Sequence, residues 1–166
     1  GLMCREGELS LPDLAELCDA FTIGGTKCGA LCGEAVVFPR HGRPPHFINA
    51  VKKRGALLAK GRLLGVQFDA LFTDDLYFRI GAHEAEAAEK LKAIFREKGI
   101  PLWLDSPTNQ QFIELEDRQV EKLKEKIAFS FWEKTDEKHT VIRFVTGWST
   151  TAEDLEALRS ALDDLR

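Results

Sequence analysis

A change of period at Gly99 restricts the fold more than any other feature of this sequence. Between Gly81 and Lys98, apolar residues recur three and four apart, with Ala87, Ala88, Leu91, Ile94 and Phe95 on one stripe and Gly99 closing the run. That spacing belongs to a helix lying with one side on a core. Past Gly99 the chain reads in twos: Ile127, Phe129 and Phe131 alternate with Ala128, Ser130 and Trp132, as in a strand with two different faces. Strands are expected at 101–105, 111–116, 127–132 and 141–146, with a charged helix near 118–126 between them. Leu155, Leu158, Leu162 and Leu165 mark a last helix from about 151 to 165. Such an order predicts a small α+β domain, a sheet covered by helices.

The front of the chain reads differently. Ser10, Leu11, Pro12 and Asp13 form a helix start, in which the hydroxyl caps, proline fits the first turn and Asp13 can complete a capping box. Leu14, Leu17, Cys18 and Phe21 follow at helical spacing and lead into a strand near Ile23. The segment Gly24, Gly25, Thr26, Lys27, Cys28, Gly29 interrupts the pattern, and Ala35 to Phe38 reads as a second strand before Pro39. Residues 40–46 read as a loop. The stretch from Phe47 to about Phe72 is helical in character, punctuated by Gly55, Gly61 and Gly65. One helix and two apolar strands are too little for a second core, and such strands ordinarily sit between other buried strands. The front is therefore expected to belong to a larger folding unit whose remainder lies elsewhere.

Composition narrows the function classes. The formal charge is -4, and basic residues are dispersed among acidic ones, so there is no patch for nucleic acid. No apolar run approaches the roughly 20 residues of a membrane span, and no basic-then-apolar leader opens the sequence. A cytoplasmic protein with neither nucleic-acid nor membrane partners is expected. Cys4, Cys18, Cys28 and Cys32 lie in the first quarter without zinc-finger spacing, and read as small fillers rather than metal ligands or staples.

Lys27 lies among Gly24, Gly25, Gly29 and Gly33, just after a strand. A buried amine there would have a lowered pKa and could attack an aldehyde to form an imine, while Thr26 could donate to a phosphate. An ordinary surface lysine in a turn is the competing reading. GGTK lacks the GxxxxGK[ST] spacing of a P-loop. Arg143 shares a strand face with Val141 and Val145, opposite Ile142 and Phe144. It is a cross-strand ion pair, a fork for a ligand carboxylate, or cover for a solvent-facing edge. Arg62, after Lys60 and Gly61, is a phosphate or subunit-contact residue or part of a solvated basic surface. His41, His46, His83 and His139 have no ligand spacing, and only His46, near a loop, invites comparison with a cofactor site. Trp103, Trp132 and Trp148 read as core residues, with the rim of a cleft as a second reading for Trp148, in TGWST.

The stretches LPDLAELCDAFTIGGTKCGALCGEAVVF, GALLAKGRLLGVQFDALFTDDLYF, DSPTNQQF and IAFSFWEKTDEKHTVIRFVTGWSTT together resemble the threonine aldolase/β-eliminating lyase group of fold type I enzymes that use pyridoxal 5'-phosphate (PLP). The resemblance covers nearly the whole chain. It implies an α/β architecture, with residues 1–60 as the C-terminal part of the PLP-binding large domain, 61–80 a helical connection and 81–166 a smaller α+β domain. It implies that Lys27 is the catalytic lysine joined to PLP, that Thr26 contacts phosphate, and that Arg143 binds the substrate carboxylate. Arg62 falls where related aldolases carry an arginine in a GGGMRQ-like segment, although AKGRLLG departs from that pattern. The family's Gly-Thr phosphate pair, ring-stacking histidine, pyridine-binding aspartate and DGAR segment have no counterpart here. The implied partners are the missing N-terminal half of the enzyme, an amino-acid substrate and further copies in a homodimer or homotetramer. The implied reaction is retro-aldol cleavage of a β-hydroxy amino acid such as threonine, with β-elimination, transamination or a non-catalytic interaction domain as alternatives. Without its first half the chain is expected to be inactive.

Overall fold

A computed structural model describes residues 9–165, which part into two units between Ala82 and His83. Cys4 lies outside the described residues.

In the first unit, α1 (Leu11–Leu17) starts as its capping signal predicts. The Asp13 backbone N–H donates to Ser10 Oγ at 3.3 Å, and the Ser10 backbone N–H donates to the Asp13 carboxylate at 2.7 Å. Strands β1 (Phe21–Gly24) and β2 (Glu34–Val37) pair antiparallel, with Phe21 opposite Val37 and Gly24 opposite Glu34. The helical stretch resolves into α2 (Phe47–Lys53) and α3 (Arg62–Phe72), separated around Gly55 and Gly61, whereas Gly65 stays inside α3. A 3-10 turn, Thr73–Asp75, leads into α4 (Leu76–Glu97).

Helix α4 begins five residues before Gly81 because Tyr77, Phe78 and Ile80 form a separate apolar group. They pack with Cys28, Leu71, Phe72, Ile23 and Ala30 in the first unit's core. That core is small, and the two apolar strands are only partly covered. Among the described residues strands β1 and β2 pair only with each other, and residues along them alternate between partial cover and exposure. Val36 is 53% exposed and Leu31 93%. A two-stranded ribbon cannot cover its own faces.

The second unit is built on a four-stranded antiparallel sheet in the order β3-β4-β6-β5. Its strands are β3 (Leu102–Leu104), β4 (Gln110–Glu116), β5 (Ser130–Lys134) and β6 (His139–Val145). Helices α5 (Asp117–Lys124) and α6 (Ala152–Asp163) complete it. Gly99, at φ 69, adopts the left-handed backbone that stops the helical run where the period changes. Leu91, Ile94 and Phe95 of α4, Val120 and Leu123 of α5, and Leu158, Ala161 and Leu162 of α6 converge on Ile113, Leu115, Ile142 and Phe144. The twofold alternation of β4 and β6 sends these four residues to one face, which the helices cover.

The strand expected over 127–132 forms three residues later. Ile127 and Phe129 pack on the core before the strand begins, and Phe131, opposite Ile142 on the sheet's edge strand, is 64% exposed. The cause is position rather than pattern, because an edge strand lies beyond the reach of the helices covering the centre.

Candidate active site

Thr26 and Lys27 occupy a 3-10 turn, Thr26–Cys28, that the rest of the first unit holds in place. The N–H groups of Cys28 and Ala30 both donate to the Gly25 carbonyl, at 2.9 and 3.0 Å, and Gly29 at φ 90 turns the chain out. Tyr77 Oη donates to the Gly24 carbonyl at 3.1 Å, and buried Cys28 anchors the other end. The glycines serve this packing. A Cβ at Gly25 would stand 3.0 Å from Ala30 Cβ and 3.2 Å from the Phe68 ring, and one at Gly33, where φ is +104, only 2.9 Å from Leu64 Cδ2. Helix α3 is therefore able to lie directly against the turn. Gln67 of the same helix accepts the Leu31 N–H at 2.7 Å.

The turn presents Lys27 outward. The expectation of a buried amine is corrected for this chain: Thr26 and Lys27 are both exposed, because the unit's few apolar residues gather under Cys28 and leave nothing to cover the two side chains before it. Among the described residues no carboxylate lies within ion-pairing distance of Lys27. Arg62 is exposed at the first position of α3, in the same unit, and also pairs with no described carboxylate. A cation there opposes the helix dipole, so helix stability does not account for it. His46 adopts φ 59 before α2 and lines an open pocket with Arg43, Pro44, Phe47 and Asn49.

Arg143 lies in the second unit, on the sheet face opposite the helices. It pairs across β6 with Phe112 of β4 and Ser130 of β5, and its side chain is half-buried. Nη1 donates to Gln110 Oε1 at 3.0 Å, Nη2 reaches Ser130 Oγ at 3.5 Å, and Cζ lies 5.5 Å from the centre of the Trp132 ring. Nε is buried without a hydrogen-bond acceptor. The cross-strand ion pair left open by the sequence does not form, since no described carboxylate lies within 4.0 Å of the guanidinium.

The tryptophans are corrected accordingly. Trp103 and Trp132, expected in the core, are 43% and 45% exposed and flank Phe112 at 6.3 and 4.9 Å between ring centres. They cover the face that carries Arg143. Trp132 falls where the pairing of β5 with β6 slips, between Phe131 opposite Ile142 and Glu133 opposite Val141. Sequence reasoning missed Gln110, Ser130 and Trp132 as neighbours of Arg143. Their shared face follows from strand register, which no local pattern displays.

Beyond β6, Thr146 Oγ1 donates to the Glu84 carbonyl at 2.7 Å, and His83 Nε2 lies 2.9 Å from the Thr150 carbonyl oxygen. These contacts tie the Thr146–Thr150 loop, which exposes Trp148, to α4. Burial pushes the Glu84 carboxyl above the ordinary carboxylate range, although the Trp148 backbone N–H bonded to it acts the other way.

Comparison with known proteins fits this arrangement. The chain is 36% identical to a structure of Leishmania major threonine aldolase, with a TM-score of 0.89 over 95% of this chain and 46% of that one. It is 28% identical over 149 residues to a low specificity L-threonine aldolase from Pseudomonas aeruginosa, covering 89% of this chain and 41% of that protein. A structure of SPT with a PLP internal aldimine shares the fold alone, at 13% identity and a TM-score of 0.58 over 89% of this chain and 39% of that one. No family model matches the sequence. The chain thus spans less than half the length of the relatives it matches. These similarities place it in the threonine aldolase group of fold type I enzymes, of which it makes up only a part.

Proposed function

We propose that the complete enzyme containing this chain is a PLP-dependent aldehyde-lyase that cleaves a β-hydroxy amino acid such as threonine to glycine and an aldehyde. The observation that carries the reading is Arg143, a half-buried cation with no described counter-charge, held by the neutral partners Gln110, Ser130 and Trp132. Leaving a guanidinium in such a setting is costly unless an anion arrives. A carboxylate matches its planar fork.

The residues present fit the cofactor. Lys27 offers an accessible primary amine on a rigid turn, unengaged by any described carboxylate and therefore available for a covalent link to an aldehyde. Thr26, beside it, offers a hydroxyl for the phosphate, and Arg62 supplies a further cation to the same unit. When bound, PLP supplies an electron sink for the pair released as the substrate's Cα–Cβ bond breaks. Arg143 binds the α-carboxylate and so sets which bond at Cα is aligned for cleavage. A free Lys27 amine would be the group on this chain able to carry a proton there.

In this reading residues 1–60 complete a PLP-binding large domain, 61–80 connect it, and 81–166 form the small domain. The N-terminal half of the enzyme is the partner that brings the rest of the cofactor cradle. Exposed Leu17, Leu31, Val36 and Leu63, all in the first unit, offer the apolar surface such a partner covers. A cytoplasmic homodimer or homotetramer completes the proposal.

The test uses the complete enzyme. PLP should give absorption near about 420 nm, and borohydride should leave the cofactor on Lys27, as expected for a lysine–cofactor link. Lys27→Ala should abolish both, and threonine should yield glycine and acetaldehyde. Reduction that traps the cofactor on a different lysine, or threonine left uncleaved, overturns the reading.

A further inference from the structure

The surroundings of Arg143 contain more than a carboxylate ligand requires. The two strands flanking β6 converge on its guanidinium: Gln110 from β4 accepts from Nη1 at 3.0 Å, Ser130 from β5 lies 3.5 Å from Nη2, and the Trp132 ring, also from β5, lies 5.5 Å from Cζ. None of these partners is charged. An aspartate or glutamate at any of them would neutralise the cation and compete with an incoming anion. A neutral amide, a hydroxyl and a π face restrict the group's orientation and leave its charge intact.

Nε makes the same point from the other side. It is buried and has no acceptor among the described residues. An unpaired buried donor is normally avoided, so something else must make this geometry tolerable. The face of Trp132 is within the distance at which a ring quadrupole attracts a guanidinium. Trp132 is itself braced by Phe112 at 4.9 Å, and Phe112 in turn by Trp103 at 6.3 Å. The aromatic row therefore works as a rigid wall behind the cation.

We propose that Trp132 and Gln110 are positioning residues that hold the Arg143 guanidinium in one orientation, so that the carboxylate of an α-amino acid meets a fork already set to receive it. The inference rests on the carboxylate role of Arg143 given under Proposed function. Trp132 acts through its ring face and Gln110 through its side-chain carbonyl, and neither needs to touch substrate. An arginine side chain is flexible, and fixing it before binding removes an ordering cost that would otherwise weaken affinity.

The experiment compares Trp132→Leu, Trp132→Phe, Gln110→Ala and Arg143→Ala in the complete enzyme labelled with 15N-arginine. In the parent protein the Arg143 Nε–H resonance should be displaced by the Trp132 ring current and exchange slowly with water. Trp132→Leu should erase the displacement and speed exchange, and Trp132→Phe should retain most of both. Trp132→Leu and Gln110→Ala should each raise KM for amino-acid substrates roughly 5- to 10-fold, the scale of one cation–π contact or one charge-assisted hydrogen bond. Their kcat should stay within about twofold, as expected when only a uniform binding contribution is lost, with Trp132→Phe close to the parent. Arg143→Ala separates this inference from the one it rests on. If that variant binds amino acids as well as the parent does, the carboxylate role itself fails. If Arg143→Ala weakens binding while Trp132→Leu and Gln110→Ala leave both KM and the Nε–H resonance unchanged, the positioning role is overturned.

Discussion

Replacing Phe95 by alanine tests whether one sheet face is structural and the other is left for function. Phe95 has no exposed surface, its ring centre lies 5.5 Å from that of Phe144, and it belongs to the cluster formed with Leu91, Ile94, Ile113, Ile142 and Leu158. Truncation removes the transfer free energy of the ring and leaves a cavity among side chains that helix and sheet backbones hold apart. Together these cost about 3–5 kcal/mol. Small domains are stable by only about 5–15 kcal/mol, so the variant should lose a large share of its margin. With a urea slope of roughly 1.5 kcal/mol per molar for a unit this size, the unfolding midpoint should fall by about 2–3 M. Circular dichroism through a urea titration measures it. The control is Val145→Ala on the Arg143 face, where Val145 is 53% exposed. That change should cost less than about 1 kcal/mol, since only part of the side chain leaves an apolar setting. Equal midpoint shifts for the two variants, or a loss under about 1 kcal/mol for Phe95→Ala, would refute the assignment of faces.

Further predictions concern backbone strain and pH. Gly33→Ala should destabilise the first unit, because φ is +104 and the new Cβ meets Leu64 at 2.9 Å; limited proteolysis between β1 and α3 should quicken, and unchanged cleavage would count against the close packing. Asp136 is drawn down to about 2 by the Lys138 backbone N–H and by His139, while His139 is raised above 6.5, chiefly by its bond to Asp136. The Asp136 contribution is complete above about 3.8 and fades as pH falls toward 2, whereas that of His139 is complete below 6.5 and fades as pH rises through its native value. The β5–β6 turn should be firmest between those limits, and Asp136→Asn should return the His139 NMR titration midpoint toward 6.5; an unmoved midpoint contradicts the pairing. Burial raises Glu84, so its ionisation opposes folding as pH climbs above about 4.5. Glu84→Gln should therefore raise Tm at neutral pH and lose that advantage in acid, and a pH-independent difference would rule this out.

Much of the second unit was legible in the sequence because its signals are local. The stripe from Ala87 to Phe95 names the buried side of α4, Gly99 marks its stop, and the alternation Val141, Ile142, Arg143, Phe144 separates core from site. The capping box at Ser10 is equally self-contained. The spacing misjudged the start of β5 and the place of Trp103 and Trp132. Alternation and aromatic content tell that a residue faces one side of a sheet, not whether that side is covered.

Lys27 and Arg143 stood out as residues because a charged group buried at a strand end or between valines would be costly without a partner, and the resemblance to a known group of enzymes gave each a purpose. Only the tertiary structure decided what holds them. Strand register set Gln110, Ser130 and Trp132 around Arg143, and the packing of α3 explained the glycines flanking Lys27 while leaving the amine exposed. The reason is range: periodicity and capping act over a few residues along the chain, whereas a guanidinium's neighbours come from the two strands beside its own, whose alignment is settled by the whole buried face.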